Sequence, residues 1–129
     1  PNMIQPKFNH SCCLGYDGHL YAFGGYTSQM IPLTMHKGST LQIGLGNHEA
    51  DEAKSTNFAT IATPRGIFVI GGHTSKKFLS EVEFYDYEDD RWTEKSSLLQ
   101  ARCYHTAILS KDYQIITVFG GLCDKNVIL

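Results

Sequence analysis

Three short apolar runs in the chain each end in a pair of glycines. They read LYAFGG, IFVIGG and IITVFGG, and they recur at intervals of 47 and 49 residues. The glycine pairs are Gly24 and Gly25, Gly71 and Gly72, and Gly120 and Gly121. Short runs of β-branched and aromatic residues closed by glycine are typical of buried strands. The pattern therefore predicts one strand that occurs three times.

Each of these strands follows another apolar run and a polar turn. The three segments are HSCCLGYDGHLYAFGG, FATIATPRGIFVIGG and HTAILSKDYQIITVFGG. Asp17 and Gly18 favour a two-residue hairpin turn, because both central positions of that turn favour positive φ. Residues 64–66 and 111–112 occupy the equivalent turns. The chain is therefore expected to contain three copies of one antiparallel hairpin.

The segment from 81 to 98 predicts two further strands. EVEFYDY alternates, with Val82 and Phe84 on one face and Tyr85 and Tyr87 on the other. EDDR then reads as a turn, and WTEKSSL as an outer strand led by Trp92. The repeat unit is therefore four antiparallel strands. A four-stranded sheet that repeats at about 50 residues is typical of a β-propeller blade.

The order of these residues resembles the kelch motif. Its elements here are the glycine pair, the dipeptide Tyr85-Asp86, Trp92 six residues after Asp86, and RCYH at 102–105. The resemblance implies an all-β fold of four-stranded antiparallel blades, with this chain as an excerpt of a β-propeller. It also implies that Tyr85 and Trp92 are aromatic residues that pack one blade against the next, with Trp92 largely buried. The glycine pairs would let strand ends bend and neighbouring backbone come close.

The pattern predicts about two and a half repeats. Repeat 1 covers about 7–56 and is degenerate after 26, repeat 2 covers about 57–101, and repeat 3, about 102–129, is incomplete. In repeat 1, Gly38 and Leu45 stand where the motif has its aromatics, and PLTMHKGSTLQIG predicts a hairpin that turns at Lys37-Gly38. Propellers close with about four to eight blades, so we expect this chain to be part of a longer propeller.

Composition and charge add little in favour of other classes of protein. The chain is 42% hydrophobic and 19% charged with a net charge of −2, which gives no electrostatic footprint for nucleic acid or an anionic membrane. No run of 18 apolar residues predicts a transmembrane helix, and PNMIQPKF lacks the features of a signal peptide. The four cysteines form no C-x-x-C pair. Reduced thiols in a cytoplasmic protein are therefore expected.

No catalytic or metal-binding pattern is visible. His10 and His105 occupy the same repeat position as Phe58, which favours packing and turn hydrogen bonds over catalysis. Cys103 stands two residues before His105, but nothing in the sequence would orient the imidazole as a base. The acidic run from 81 to 94 lacks the alternating ligands and central glycine of a calcium loop. The sequence predicts no enzyme activity in this chain, no metal site and no cofactor.

The leading functional prediction is a protein-interaction module, a scaffold or substrate-recognition domain, because loops held by a rigid scaffold commonly bind partners. The sequence most resembles the kelch-like adaptors of cullin-based ubiquitin ligases. In that family the residue after the glycine pair and the arginine that opens the next blade line the face that receives the substrate peptide. The resemblance then implies the following partner-binding residues: Lys7, Tyr26, His73, Arg102 and Tyr104.

The implied partner is an acidic, turn-forming peptide of another protein, with cullin contacts supplied by BTB and BACK regions that these residues do not contain. Several alternatives stay open. The chain could be a propeller domain of an enzyme, such as a copper oxidase like galactose oxidase, or an extracellular or cytoskeletal kelch protein. Arg102 could also serve only to tie down the loop between blades.

Overall fold

The computed structural model describes residues 10–24, 40–43, 57–74, 76–124 and 127–129, with the backbone alone for 40–43. Nine β-strands in three sheets lie within these ranges, and no helix does. The prediction of an all-β fold is confirmed. Three of the predicted positions, Lys7, Gly25 and Tyr26, lie outside the described residues, as does the turn expected at 37–38.

The first sheet contains β1 (Ser11–Leu14), β2 (Leu20–Phe23) and β3 (Thr40–Ile43), in that order. β1 and β2 form the first predicted hairpin, antiparallel, with Leu14 opposite Leu20. Asp17 stabilises the turn because its carboxylate accepts the backbone N–H of His19 at 3.1 Å. Gly18 has a φ of 83°, the left-handed conformation that favours glycine at this turn.

The third strand of this sheet differs from the expected antiparallel blade. β3 pairs with β2 in parallel, with Leu20 opposite Thr40 and Phe23 opposite Ile43. Parallel neighbours need a crossover of about a dozen residues or more, and residues 24–39 provide that length. The connection from β5 to β6, residues 71–81, is shorter than that, and the same step in the second sheet is antiparallel.

The second sheet is the complete four-stranded antiparallel unit. It contains β4 (Ala59–Ala62), β5 (Gly66–Ile70), β6 (Val82–Asp86) and β7 (Arg91–Lys95), in the order β4-β5-β6-β7. β7 begins one residue earlier than the sequence indicated, because Arg91 pairs with Asp86. Gly66, expected in the turn, is the first residue of β5. A Cβ there would collide with the backbone carbonyl oxygen of Tyr85, so the strand requires glycine at this position.

The third sheet is the hairpin of β8 (Thr106–Leu109) and β9 (Ile116–Phe119), antiparallel as predicted. Its turn is longer than a two-residue loop: the backbone N–H of Ser110 donates to the carbonyl of Ile115 at 2.9 Å. Tyr113, within this turn, has a φ of 60°. Cys103, before β8, and Leu122, after β9, form an isolated antiparallel bridge that continues the pairing past the open end of the hairpin.

The three sheets pack side by side, with β4 in contact with β1 on one side and with β8 on the other. We call the contact between the first two sheets the first interface and that between the second and third sheets the second interface. The first has these buried residues: Tyr21, Phe23, Phe58, Ile67, Val69 and Tyr85. The second has Ala59, Ile70 and Val82, with partly buried Ile61, Phe68, Leu98, Ala107, Ile116 and Val118. The second sheet is therefore apolar on both faces, since alternate residues of β5 serve opposite interfaces.

Candidate functional site

The three inner hairpins all end at the same side of the molecule. Gly24, Gly71 and Gly120 follow β2, β5 and β9, with φ values of 59°, 59° and 62°. A side chain is disfavoured in this conformation, which explains why glycine recurs here. We call this side the glycine-pair end, comprising 71–74, 76–81, 100–105 and 120–123. Within the described ranges, the loop from β5 to β6 and the end of the connection from the second sheet to the third lie here.

Arg102 links the loops at the glycine-pair end. Its carbonyl accepts the N–H of Gly72 at 2.8 Å, and its own N–H donates to the carbonyl of Leu79 at 3.0 Å. The guanidinium donates through Nη1 to the carbonyl of Gly120 at 3.0 Å and through Nε to that of Gln100 at 3.5 Å. The side chain is partly buried. These hydrogen bonds are of the kind that a tie between neighbouring blades would make.

His73 and Tyr104 lie next to each other at the same end. Their ring centroids are 6.1 Å apart with an interplanar angle of 84°. Asn57 contacts both: its Nδ2 is 3.4 Å from Nε2 of His73, and its carbonyl accepts the N–H of Tyr104 at 2.9 Å. Phe78 packs edge-on against His73 at 6.2 Å. The Tyr104 side chain is 62% exposed, so the pair presents an aromatic surface to solvent.

Asn57 and Phe78 support this surface, and neither was singled out in the sequence. Asn57 and Tyr104 both have positive φ, 57° and 54°. Asparagine tolerates that conformation better than most residues, so an asparagine just before a strand is a signal that could have been used. Nothing comparable marks Tyr104 or Phe78. Of the predicted partner-binding residues, the structure describes His73, Arg102 and Tyr104 and brings His73 and Tyr104 into contact.

His105 lies beneath this surface rather than on it. Its side chain is buried, and a Cβ on Gly71 would lie 3.0 Å from its Cε1. No hydrogen bond of ordinary geometry reaches either ring nitrogen within the described part of the chain. Burial lowers the pKa of His105 below the usual value, and nearby Arg102 acts in the same direction, while the backbone of Ile70 opposes them. Burial also raises the pKa of the Cys103 thiol, which disfavours the thiolate.

The described ranges contain neither a metal-binding cluster nor a membrane-spanning helix. No group of three or more His, Cys, Asp or Glu side chains among those residues is arranged to hold a metal ion. No helix there has the length and apolar character needed to span a bilayer.

Comparison with known proteins identifies the repeat. A family model described as the kelch motif matches residues 55–99. Beta-scruin of Limulus polyphemus is 30% identical over 137 residues, which cover 96% of this chain and 14% of that protein. Alpha-scruin of the same organism is 31% identical over 134 residues, covering 93% and 14%. The kelch repeat-containing protein kel-10 of Caenorhabditis elegans is 29% identical over 113 residues, covering 84% and 19%. The chain therefore spans less than a fifth of each of these relatives.

Proposed function

Because the chain belongs to the kelch-repeat family, we propose that its glycine-pair end binds an acidic peptide segment of a partner protein. Kelch repeats indicate a protein-interaction or scaffold module. The observation that carries the finer proposal is the contact between His73 and Tyr104, two side chains from separate loops that meet at this end. Loops fixed by sheet hydrogen bonds are well suited to recognition because little entropy is lost on binding.

The charge of this end favours an acidic ligand. Lys76, Lys77 and Arg102 lie in its loops, and Lys77 is paired with Glu81 at 3.2 Å. A guanidinium has five N–H donors, and two of those on Arg102 donate to backbone carbonyls. Arg102 can therefore hold its loop and still offer donors to a carboxylate. Tyrosine and histidine add amphipathic contact area with few rotatable bonds.

We further propose that the whole protein is an intracellular adaptor that presents a substrate to a cullin-based ubiquitin ligase, with cullin contacts made by regions outside these 129 residues. Support comes from the compact order of VEFYD, Trp92 and RCYH, which resembles that class of kelch protein. Cys13, Cys103 and Cys123 are free thiols, as is usual in a reducing compartment. Co-purification of the intact protein with a cullin tests the adaptor role, and its repeated absence under conditions that retain other partners would contradict it.

Peptide arrays test the binding site directly. Acidic turn peptides and matched peptides with glutamine in place of each glutamate would be probed with the intact protein. We expect selective binding of the acidic set, and a loss of about tenfold in affinity for His73→Ala and for Tyr104→Asn, about 1.4 kcal/mol each. Asparagine is chosen at 104 because it tolerates the positive φ there.

Arg102→Ala separates recognition from structure at this site. If Arg102 contacts the ligand, affinity falls by about 2 kcal/mol or more. The matched control is Arg91→Ala. It removes an exposed arginine at the start of β7, away from the glycine-pair end, that pairs with Asp89 at 3.4 Å. If Arg102→Ala unfolds more easily yet binds the acidic peptide undiminished, Arg102 is only a structural tie. Equal binding of the acidic and glutamine peptides would show that the proposed ligand class is wrong.

A further inference from the structure

The side of the molecule opposite the glycine-pair end carries a different set of charges. This turn end consists of the strand-connecting turns at 15–19, 63–65, 87–90 and 110–115. The carboxylates in or next to these turns are Asp17, Asp86, Glu88, Asp89, Asp90 and Asp112. The cations there are Arg65, Arg91 and Lys111. Acidic groups therefore outnumber basic ones in the described part of this end, the reverse of what an acidic ligand would need.

A cavity of about 540 Å³ opens between the first and second sheets at the turn end. Its lining is Tyr16, Asp17, Pro64, Arg65, Tyr87 and Glu88. The turn of the first sheet is held against the second sheet, because the backbone N–H of Tyr16 donates to the Tyr87 hydroxyl at 3.4 Å. A Cβ on Gly15 would lie 3.0 Å from that hydroxyl, so a larger residue would push the turn away. Two tyrosines and a proline thus face the cavity from turns in fixed positions.

The carboxylates of the cavity carry a negative charge that its one arginine does not neutralise. Arg65 is already paired with Asp86, Nε to Oδ2 at 2.9 Å. Burial opposes ionisation of Asp17, yet hydrogen bonds from Tyr21 and His19 hold its pKa below the usual value, so it is charged at neutral pH. Glu88 is exposed at the rim. Asp17 and Glu88 therefore leave a surplus of negative charge beside two aromatic rings.

We propose that this cavity binds an arginine side chain from a basic segment of a second partner protein. The guanidinium would stack on the rings of Tyr16 and Tyr87 and pair with the carboxylates of Asp17 and Glu88. Planar guanidinium groups favour these two kinds of contact, stacking on aromatic faces and bidentate pairing with carboxylates. The site lies at the opposite end from the acidic-peptide site and does not depend on it.

A neighbouring cavity of about 470 Å³ shows that the charge is specific to this location. It lies at the second interface and is lined by Phe68 and Phe84, with the cations Arg65, Arg91 and Lys95 against the carboxylates of Asp86 and Asp89. Cations outnumber carboxylates there, and Lys95 already covers the Phe84 ring at 5.3 Å. A guanidinium is therefore disfavoured in that cavity and favoured in the cavity beside Tyr16.

Amide chemical shifts of the intact, isotope-labelled protein test the proposal. The probe is a five-residue glycine–arginine peptide with two arginines and capped ends, and the control peptide has glutamine in place of both arginines. We expect the arginine peptide to shift the amides of Tyr16, Tyr87 and Glu88, with an affinity that falls as salt is raised. Shifts of equal size with the glutamine peptide, or shifts confined to the glycine-pair end, would overturn the proposal.

Two substitutions locate the bound cation. Glu88→Gln keeps the size of an exposed side chain and should weaken binding about three- to tenfold, as should Tyr16→Ala. The matched control is Glu94→Gln, an exposed carboxylate on β7 that does not line the cavity. This control should bind as the unsubstituted protein does.

Equal weakening by Glu94→Gln would mean that binding follows net charge alone, and the proposal fails. Sedimentation of the protein without peptide addresses a second copy as the occupant. Self-association that Glu88→Gln abolishes would mean that the basic loops of another copy fill the cavity, which would overturn a separate arginine-bearing partner. A monomer over the same concentrations as the peptide titration is the expected result.

Discussion

The first and second interfaces use the same repeat positions in different ways. Phe23 is the last residue of β2 and is completely buried at the first interface. Ile70, at the same position of β5, is also buried but packs at the second interface. The first interface is closed by aromatic rings from both sheets, whereas aliphatic side chains form most of the second. The difference arises from the outer strands, since the inner hairpins are equivalent.

The outer strands of the second sheet supply the rings that close the first interface. Tyr85 of β6 and Trp92 of β7 lie 5.4 Å apart, and Trp92 meets Phe23 edge-on at 6.0 Å. At the second interface the ring centroids of Phe68 and Phe84 lie 4.7 Å apart with an interplanar angle of 48°, but both rings line the 470 Å³ cavity. The inner hairpins are therefore enough to place neighbouring sheets side by side. The outer strands, β6 and β7, supply the rings that fill the space between the sheets.

Substitution of the equivalent residues Phe23 and Ile70 is the largest test of this comparison. Phe23→Ala should lower the free energy of unfolding by about 3–5 kcal/mol, because it leaves a cavity in a packed aromatic cluster. Ile70→Ala should cost less, about 2–3 kcal/mol, because it removes a smaller side chain whose neighbours at the second interface are mostly only partly buried. Urea denaturation of both variants measures the difference. Equal losses would mean that the two interfaces are equally well packed.

Trp92→Ala tests the contribution of the outer strands. Trp92 is partly buried, less than the sequence indicated, so we expect a loss of about 2–3 kcal/mol, below that of a fully buried tryptophan. Lys95→Ala is the control on the same strand, since it removes a cation from the Phe84 ring and should cost under about 1 kcal/mol. Thermal unfolding followed by circular dichroism compares them. A larger effect at Lys95 would contradict the assignment of Trp92 to the interface.

The smallest effect concerns pH and sharpens the contrast between Phe58 and His105, which share a repeat position. Phe58 packs in the first interface, whereas His105 is buried with its pKa lowered. The unfolded chain then binds a proton at about pH 6.5, where folded His105 does not. Stability should therefore fall on acidification below about pH 6.5, by at most about 1.4 kcal/mol per pH unit, until the folded pKa is reached.

His105→Phe should remove this slope. The substitution places at 105 the residue type that the second repeat has at Phe58. Denaturation midpoints between about pH 7 and pH 5 measure the slope. Asp86 does not contribute to this slope, because the Asp89 amide and Arg65 hold its pKa below the ordinary value, so its effect on stability falls at more acid pH. A slope that persists in His105→Phe would exclude His105 as its source.

The hairpins were predictable from the sequence because their signals are local. A glycine with positive φ is needed after β2, β5 and β9, and the alternation of Val82 and Phe84 with Tyr85 fixes which face each presents. The kelch resemblance and the four-stranded unit follow from these positions. The limits of the three repeats stay predictions.

Other features depend on contacts between distant residues and could not be read locally. The parallel pairing of β3 follows from the choice of a partner strand, which no residue of TLQI encodes. The bond from Arg102 to the Gly120 carbonyl joins two sheets, so the sequence left its role open. Contact between His73 and Tyr104 arises because β5 and β8 belong to adjacent sheets. The cavity beside Tyr16 likewise needs three turns that are far apart in the chain.

The pair of Tyr16 and Tyr113 has a consequence for the order of folding. Their hydroxyls lie 3.4 Å apart, although 97 positions of sequence separate them, and they connect the first sheet to the third. A single contact cannot offset the entropy lost in closing a loop of that length until the intervening sheet has formed. The contact should therefore form after the transition state. Tyr113→Ala should accordingly speed unfolding and leave the rate of folding nearly unchanged.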